Sequence, residues 1–316
     1  MIQSFDSKKV LYLAGLAFIL CAPWSLLGMQ LTALAGLVAS LALLRKSGPA
    51  KLNPLDIAVI IYLCAVGFSL LSNPDIPFDF LRSTSFWPAA AYMLFRNGAV
   101  GIFRSEKVFP ALAAVLIIVS TYSIFQAYYG FDLMRWSKPL SYPNPGGVAP
   151  YAAFGFFNRH HSFAASLAML TLFCFPMLKH NPKKYTELLQ GPLILLASVA
   201  IFFAQSRAVF IALPCTVTLL FFVGMKKHLG TAIVIAAFVI IPMFLILLSD
   251  SASQRMFNPL SDDARLKIMQ TAALAEAERP LSGWGFGHFY SMAEPYFDLT
   301  QPDVYVRSGT HNDFQQ

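Results

Sequence analysis

Two residue types in this chain are equipped for chemistry at a water-facing site: arginine and histidine. Arg82, Arg135, Arg159, Arg207, Arg255, Arg265, Arg279 and Arg307 all fall on alternate segments between apolar runs, and those segments carry only two lysines, Lys138 and Lys267. A guanidinium stays charged at any working pH, and its planar fork matches two phosphate oxygens, so such a face suits a phosphate-bearing substrate. The competing reading is loop solvation with carboxylate pairing, for which Asp75, Asp79, Asp132, Asp250, Asp262 and Asp263 are available. Arg207 stands apart, because Gln205-Ser206-Arg207 separates two apolar runs with almost no loop. An arginine at that depth costs several kcal/mol unless it finds a partner or water, so it either serves a site or snorkels to headgroups.

Four of the six histidines fall on these same alternate segments, in three places. His160 and His161 close the stretch Gly155-Phe156-Phe157-Asn158-Arg159-His160-His161 at the opening of an apolar run. Adjacent histidines point in different directions on a helix, and Ser162, Phe163, Ala164 and Ala165 add no further ligand, which argues against a metal site. His288 lies in the last polar segment, and His311 with Asn312 lies in the closing run from Arg307 to Gln316. A histidine within reach of a hydroxyl can accept its proton as a new bond forms. A loop histidine without a role is the other possibility for each.

The elements that position these residues are apolar helices. The chain is 57% hydrophobic and 12% charged, about half the charged share of a soluble domain, and its mean hydropathy is +0.59. This composition reads as an integral membrane protein of the all-α class, a polytopic transmembrane helix bundle. Runs near the ~20 residues that cross a bilayer are Val10–Ala22, Trp24–Leu44, Leu55–Ser72, Ser83–Phe95, Val108–Tyr129, His161–Leu178, Gly191–Gln205, Ala208–Met225 and Leu229–Leu248. That predicts about nine spans. Lys8-Lys9 ahead of the first run has the outline of a signal peptide, but Leu20 is too bulky for a lipoprotein cleavage site before Cys21, so an uncleaved span is expected. Cys21, Cys64, Cys174 and Cys215 all sit inside apolar runs, which argues against a disulfide framework or structural zinc.

Orientation follows from the lysines and arginines between spans. Lys8, Lys9, Arg45, Lys46, Lys51, Arg96, Arg104, Lys107, Lys179, Lys183, Lys184, Lys226 and Lys227 share one side, read as cytoplasmic. The N-terminus is then inside and the last segment outside. Residues 1–248 form the transmembrane bundle in this reading, and 249–316 a large outer loop. In that loop Ser261 is placed to cap a helix with Asp262 and Asp263 in its first turn, running through Leu266, Met269, Ala273 and Ala277 to Pro280. Gly283-Trp284-Gly285-Phe286-Gly287 has no preceding strand and reads as a turn rather than a dinucleotide fingerprint. Trp284, Tyr290 and Tyr305 suit either stacking on sugar faces or interfacial anchoring. Because the cationic residues are scattered over membrane-bounded loops, nucleic acid is not expected as a partner.

Asn158 to Ala168 opening a span, Ser206-Arg207 at a tight outer turn, Arg279-Pro280-Leu281-Ser282-Gly283-Trp284-Gly285 after an amphipathic helix, and His311-Asn312 with Gln315 together resemble the O-antigen ligase and O-antigen polymerase superfamily. The resemblance covers roughly Gly155 to Gln316, and the first half agrees only in hydrophobic pattern. It implies a C-type glycosyltransferase of the bacterial inner membrane that moves a glycan from undecaprenyl diphosphate to a periplasmic acceptor, in lipopolysaccharide or surface-polysaccharide synthesis. The implied partners are an undecaprenyl-diphosphate-linked glycan, a lipid A-core or other glycan or protein acceptor, and membrane lipids. It further implies that Arg207 is the essential arginine near the diphosphate and His311 the histidine of the large periplasmic loop, and that further spans follow residue 316. Arg159, His160, His161, Arg279, Arg307 and Asn312 are the substrate-binding candidates.

The chemistry agrees with these residue types. Diphosphate is a good leaving group that needs charge stabilisation, which fixed arginines provide in a partly dehydrated site, and no metal or cofactor is required. A sugar hydroxyl is a weak nucleophile, and His311 is placed to accept its proton while Asn312 positions chain or substrate. Ligase, O-antigen polymerase and protein O-oligosaccharyltransferase share the donor and remain open alternatives. A polysaccharide transporter or flippase is the rival class; the span count, midspan prolines and arginines favour it, and the lack of a clear internal repeat argues against it.

Overall fold

The structure, a computed structural model, describes residues 6–47, 52–72, 86–105, 107–133, 149–157, 160–180, 184–224, 259–280, 284 and 294–296. Its regular elements are helical throughout these residues: α1 (Ser7–Cys21), α2 (Leu26–Ser47), α3 (Pro54–Leu71), α4 (Phe86–Arg104), α5 (Val108–Tyr129), α6 (His160–His180), α7 (Lys184–Phe203), α8 (Arg207–Gly224), α9 (Pro259–Glu278) and a 3-10 turn at Glu294–Tyr296. The chain forms two compact units, Met1–Ser40 with Leu94–Phe257, and Leu41–Met93 with Asn258–Gln316.

Helices α1 to α8 lie over the first eight apolar runs of the sequence; the ninth, Leu229–Leu248, is outside the described residues. Among the described residues, three helical stretches can cross a membrane by length and composition, Leu27–Arg45, Pro54–Leu71 and Val108–Tyr129, and shorter apolar helices occupy His160–Phe175 and Gly191–Phe203. Several boundaries differ from the sequence reading, since Lys8, Lys9, Arg45, Lys46, Lys179 and Lys184, read as lying between spans, fall within helices. The run ending at Phe95 continues as helix to Arg104, so Arg96 is helical rather than in a loop. The cause is packing, since Ile102 and Phe103 are buried in the first unit's core beyond the polar interruption at Arg96-Asn97.

In the first unit α5 is the central helix, packing on α1, α6 and α7, while α8 packs on α6 and α7. Lipid removes the hydrophobic drive between helices, so close van der Waals contact through small residues must supply it. Ala127 of α5, Ala164 and Ala168 of α6, and Ala197 and Ala200 of α7 serve that purpose, with Phe163, Leu167, Ile194, Leu112 and Leu116 filling the space between. At the start of α1 the Asp6 carboxylate accepts from the Lys8 and Lys9 amides at 3.2 and 3.3 Å, which satisfies two of the orphan donors of a helix start. At its far end α5 stops at Gly130, whose φ of 67° is the left-handed cap that a Cβ disfavours. Adding one there would also bring it to 2.7 Å from the Tyr151 ring.

In the second unit Asn53 and Asp56 form a reciprocal capping box at 2.8 and 2.7 Å, with Pro54 at the first helical position of α3. The Tyr92 hydroxyl donates to Asp56 at 2.7 Å and helps bury that carboxylate. Apart from Asp56, α3 is largely uncovered and exposes Leu55, Ile57, Ile60, Ile61, Phe68 and Leu71. A helix apolar all round and uncovered is what a lipid-facing span requires. Further along this unit α9 begins at Pro259, so Ser261 is its third residue and not its cap. Proline explains the earlier start, because its fixed φ suits the first helical position.

Candidate functional site

Where α5 and α7 end and α6 and α8 begin, a set of buried polar groups holds an irregular segment, residues 149–157, against the helices. Gln126, in the last two turns of α5, is fully buried. Its amide nitrogen donates to the Tyr122 hydroxyl at 2.9 Å and to the Gly155 carbonyl at 3.0 Å, and its amide oxygen accepts from the Phe154 N–H at 3.1 Å. Both amide donors are thereby used. The Tyr122 hydroxyl also accepts from the Leu133 N–H at 2.8 Å and donates to Asp132 at 3.2 Å, so its hydrogen-bonding capacity is filled as well.

Backbone bonds and rings complete the clamp. Tyr151 N–H donates to the Ala127 carbonyl at 3.0 Å, and Ala153 N–H to the Phe203 carbonyl at 2.9 Å, tying the segment to the ends of α5 and α7. Phe156 stacks on Tyr122 with ring centroids 4.5 Å apart and meets Trp24 at 4.3 Å. Gly155 has φ 56° and sits against the Phe163 ring, so only glycine fits both its backbone and its space.

This segment leads into the histidine pair that opens α6. The rings of His160 and His161 lie 3.8 Å apart at 47°, and Phe154 meets His160 edge-on at 5.7 Å. The expectation that the two histidines diverge is therefore corrected. In the first turn of a helix no preceding turn crowds the side chains, which leaves rotamers open that bring neighbours together. His161 Nδ1 lies 3.2 Å from Ser206 Oγ, across 45 residues of sequence. Ser206 is 2% exposed. It follows Gln205, whose φ of 55° makes it the non-glycine residue in left-handed conformation among those described, and it precedes Arg207, the first residue of α8.

In the second unit, Arg279 just beyond α9 lies with its guanidinium carbon 4.2 Å from the centre of the Trp284 ring. The Trp284 Nε1–H donates to the Ala275 carbonyl at 2.7 Å, which fixes the indole on the end of α9. The Tyr296 phenol donates to Glu278, and that hydrogen bond is the main reason its pKa is raised above 10.0.

Of the residues singled out in the sequence, the structure brings together His160, His161 and the Ser206–Arg207 junction, and separately Arg279 and Trp284. Arg159, His288, Tyr290, Tyr305, Arg307, His311 and Asn312 lie outside the described residues, as does the Arg207 side chain. Among the described residues no three His, Cys, Asp or Glu side chains gather as metal ligands would. Sequence reasoning missed Gln126, Tyr122 and the partner of Ser206. The available signal was a glutamine inside an apolar run, since a polar group at that depth must be satisfied by protein.

Residues 192–316 match the family model described as O-antigen ligase. That match supports membership of the O-antigen ligase superfamily, whose members are glycosyltransferase-like enzymes. With the apolar helices, the match agrees with a membrane setting and with the glycan or lipid-linked substrates that the family description implies. No curated protein and no solved structure matches the chain.

Proposed function

We propose that the protein transfers a glycan from undecaprenyl diphosphate to an acceptor hydroxyl at the periplasmic face of the inner membrane, in the manner of an O-antigen ligase. The observation that carries this reading is the family match over residues 192–316, which spans both the Ser206–Arg207 junction and the segment ending in His311-Asn312. In the proposed arrangement nine spans place residues 249–316 outside. Arg207 neutralises the diphosphate as the bond from the anomeric carbon to phosphate oxygen breaks. The acceptor oxygen bonds to that carbon, and His311 takes the hydroxyl proton. Arg159, His160, Arg279 and Arg307 are the proposed substrate-binding residues, and Asn312 positions chain or substrate. A lipid A-core is the acceptor that fits the family description; a growing polysaccharide or a protein are the alternatives to test.

The experiment uses the full-length protein in proteoliposomes with an undecaprenyl-diphosphate-linked glycan and no ion gradient. Arg207→Lys keeps the charge but loses the fork, so transfer should fall by at least ~100-fold in protein that inserts normally. His311→Ala should abolish transfer and leave donor binding nearly intact. Wild-type transfer by the lysine variant would make Arg207 an interfacial anchor. Glycan movement across the bilayer without covalent transfer would instead place the protein among flippases.

A further inference from the structure

We propose that His161 is a positioning residue for Arg207, acting through Ser206. This rests on the reading of Arg207 as the diphosphate-binding arginine. A non-glycine residue in left-handed conformation is strained and persists only where its surroundings over-determine it. Gln205 is such a residue, with φ 55°, one step before Ser206 and two before Arg207. On its N-terminal side the turn is held by the Ala204 N–H on the Ala200 and Ile201 carbonyls, each at 3.1 Å, and the Gln205 N–H on the Phe202 carbonyl at 3.0 Å. All of these bonds stay within the end of α7. A side-chain tie from the turn to another helix is Ser206 Oγ to His161 Nδ1 at 3.2 Å.

The consequence concerns where α8 starts. Arg207 is its first residue, so whatever fixes Ser206 fixes the point from which the guanidinium reaches. The Gln126 clamp reaches the histidine pair through Phe154, whose N–H it binds and whose ring meets His160 edge-on at 5.7 Å, with His160 in turn against His161. The ring edge bearing Nδ1 is thus turned to protein rather than to substrate. An arginine misplaced by about 1 Å loses alignment with a charge that develops only as the bond breaks, so kcat should suffer more than donor KM.

The test is a steady-state comparison of full-length variants reconstituted at equal amounts of folded protein: His161→Phe, His161→Asn, Ser206→Ala, the combined His161→Phe/Ser206→Ala, and Arg207→Ala. His161→Phe keeps an aromatic ring without the hydrogen bond to Ser206 and should lower kcat about tenfold or more, with donor KM shifted less than about threefold. Ser206→Ala should do the same, and the combined variant should be no worse than the more damaging single change, because both remove one interaction. His161→Asn places an amide near the Nδ1 position and should recover most of the loss, which a merely structural histidine would not allow. A combined loss equal to the product of the single losses would overturn the proposal, as would asparagine no better than phenylalanine. If Arg207→Ala abolishes transfer while His161→Phe matches wild type, only the positioning role falls. If Arg207→Ala transfers normally, the donor-site reading falls and this inference with it.

Discussion

Replacing Gln126 by methionine keeps the length and bulk of the side chain and removes all three of its hydrogen bonds. Two of those bonds serve backbone groups of buried residues, the Phe154 N–H and the Gly155 carbonyl. Leaving a buried polar group unsatisfied costs about 1–3 kcal/mol, while side-chain hydrogen bonds between membrane helices average nearer 0.6 kcal/mol. Three bonds at the lower value and two orphaned groups at the middle of the upper range bracket the loss at about 2–4 kcal/mol. The loss should be local. Hydrogen exchange of full-length protein in nanodiscs should show amides of residues 149–157 exchanging about 30-fold faster or more, a factor that corresponds to the lower bound. Leu116→Ala is the control. It opens a cavity under the middle of α5, costs a comparable ~2–5 kcal/mol, and should lower the thermal midpoint without selectively releasing residues 149–157. Unchanged protection of that segment in Gln126→Met would refute the view that this glutamine holds it, and with it the route from α5 to the histidine pair.

Gly155→Ala should destabilise by about 2 kcal/mol or more, combining the left-handed backbone cost with a Cβ driven into the Phe163 ring; a thermal midpoint equal to wild type would count against that geometry. Membrane sidedness is open to cysteine labelling in a cysteine-free background with an impermeant reagent. Cysteines at Leu133 and Pro150, both exposed, should react in intact cells whereas one at Lys107 should not. A probe at Ser206 would stay silent through burial alone, and labelling at both 107 and 133 would overturn the topology. The Tyr296 phenol titrates above 10.0 because it donates to Glu278. A raised value means the contact contributes fully below that pH and is lost as pH rises through the phenol's folded value. An absorbance titration should therefore show Tyr296 ionising later than free tyrosine, and Glu278→Gln should bring it back toward the ordinary range; no shift between the two would remove Glu278 as the cause.

The sequence by itself determined where the helices are, because a segment in lipid must satisfy its backbone internally and carry apolar side chains, and both demands are local. It determined the residue types worth following for the same reason: an arginine at a two-residue gap between apolar runs and a histidine pair at a helix start are visible in one dimension. Chain order could not show which of them meet. His161 finds Ser206 across 45 residues, and Gln126 reaches Phe154 and Gly155 across 28 and 29. Such pairings depend on how α5, α6, α7 and α8 pack, which small residues allow but do not individually specify. The left-handed turn at Gln205 likewise has no sequence signature, since such a conformation persists only where the surrounding structure over-determines it. The extension of α4 past Arg96 and the start of α9 at Pro259 mark the same division. Local propensity proposes a helix end, and burial of Ile102 and Phe103 or the fixed φ of a proline decides it.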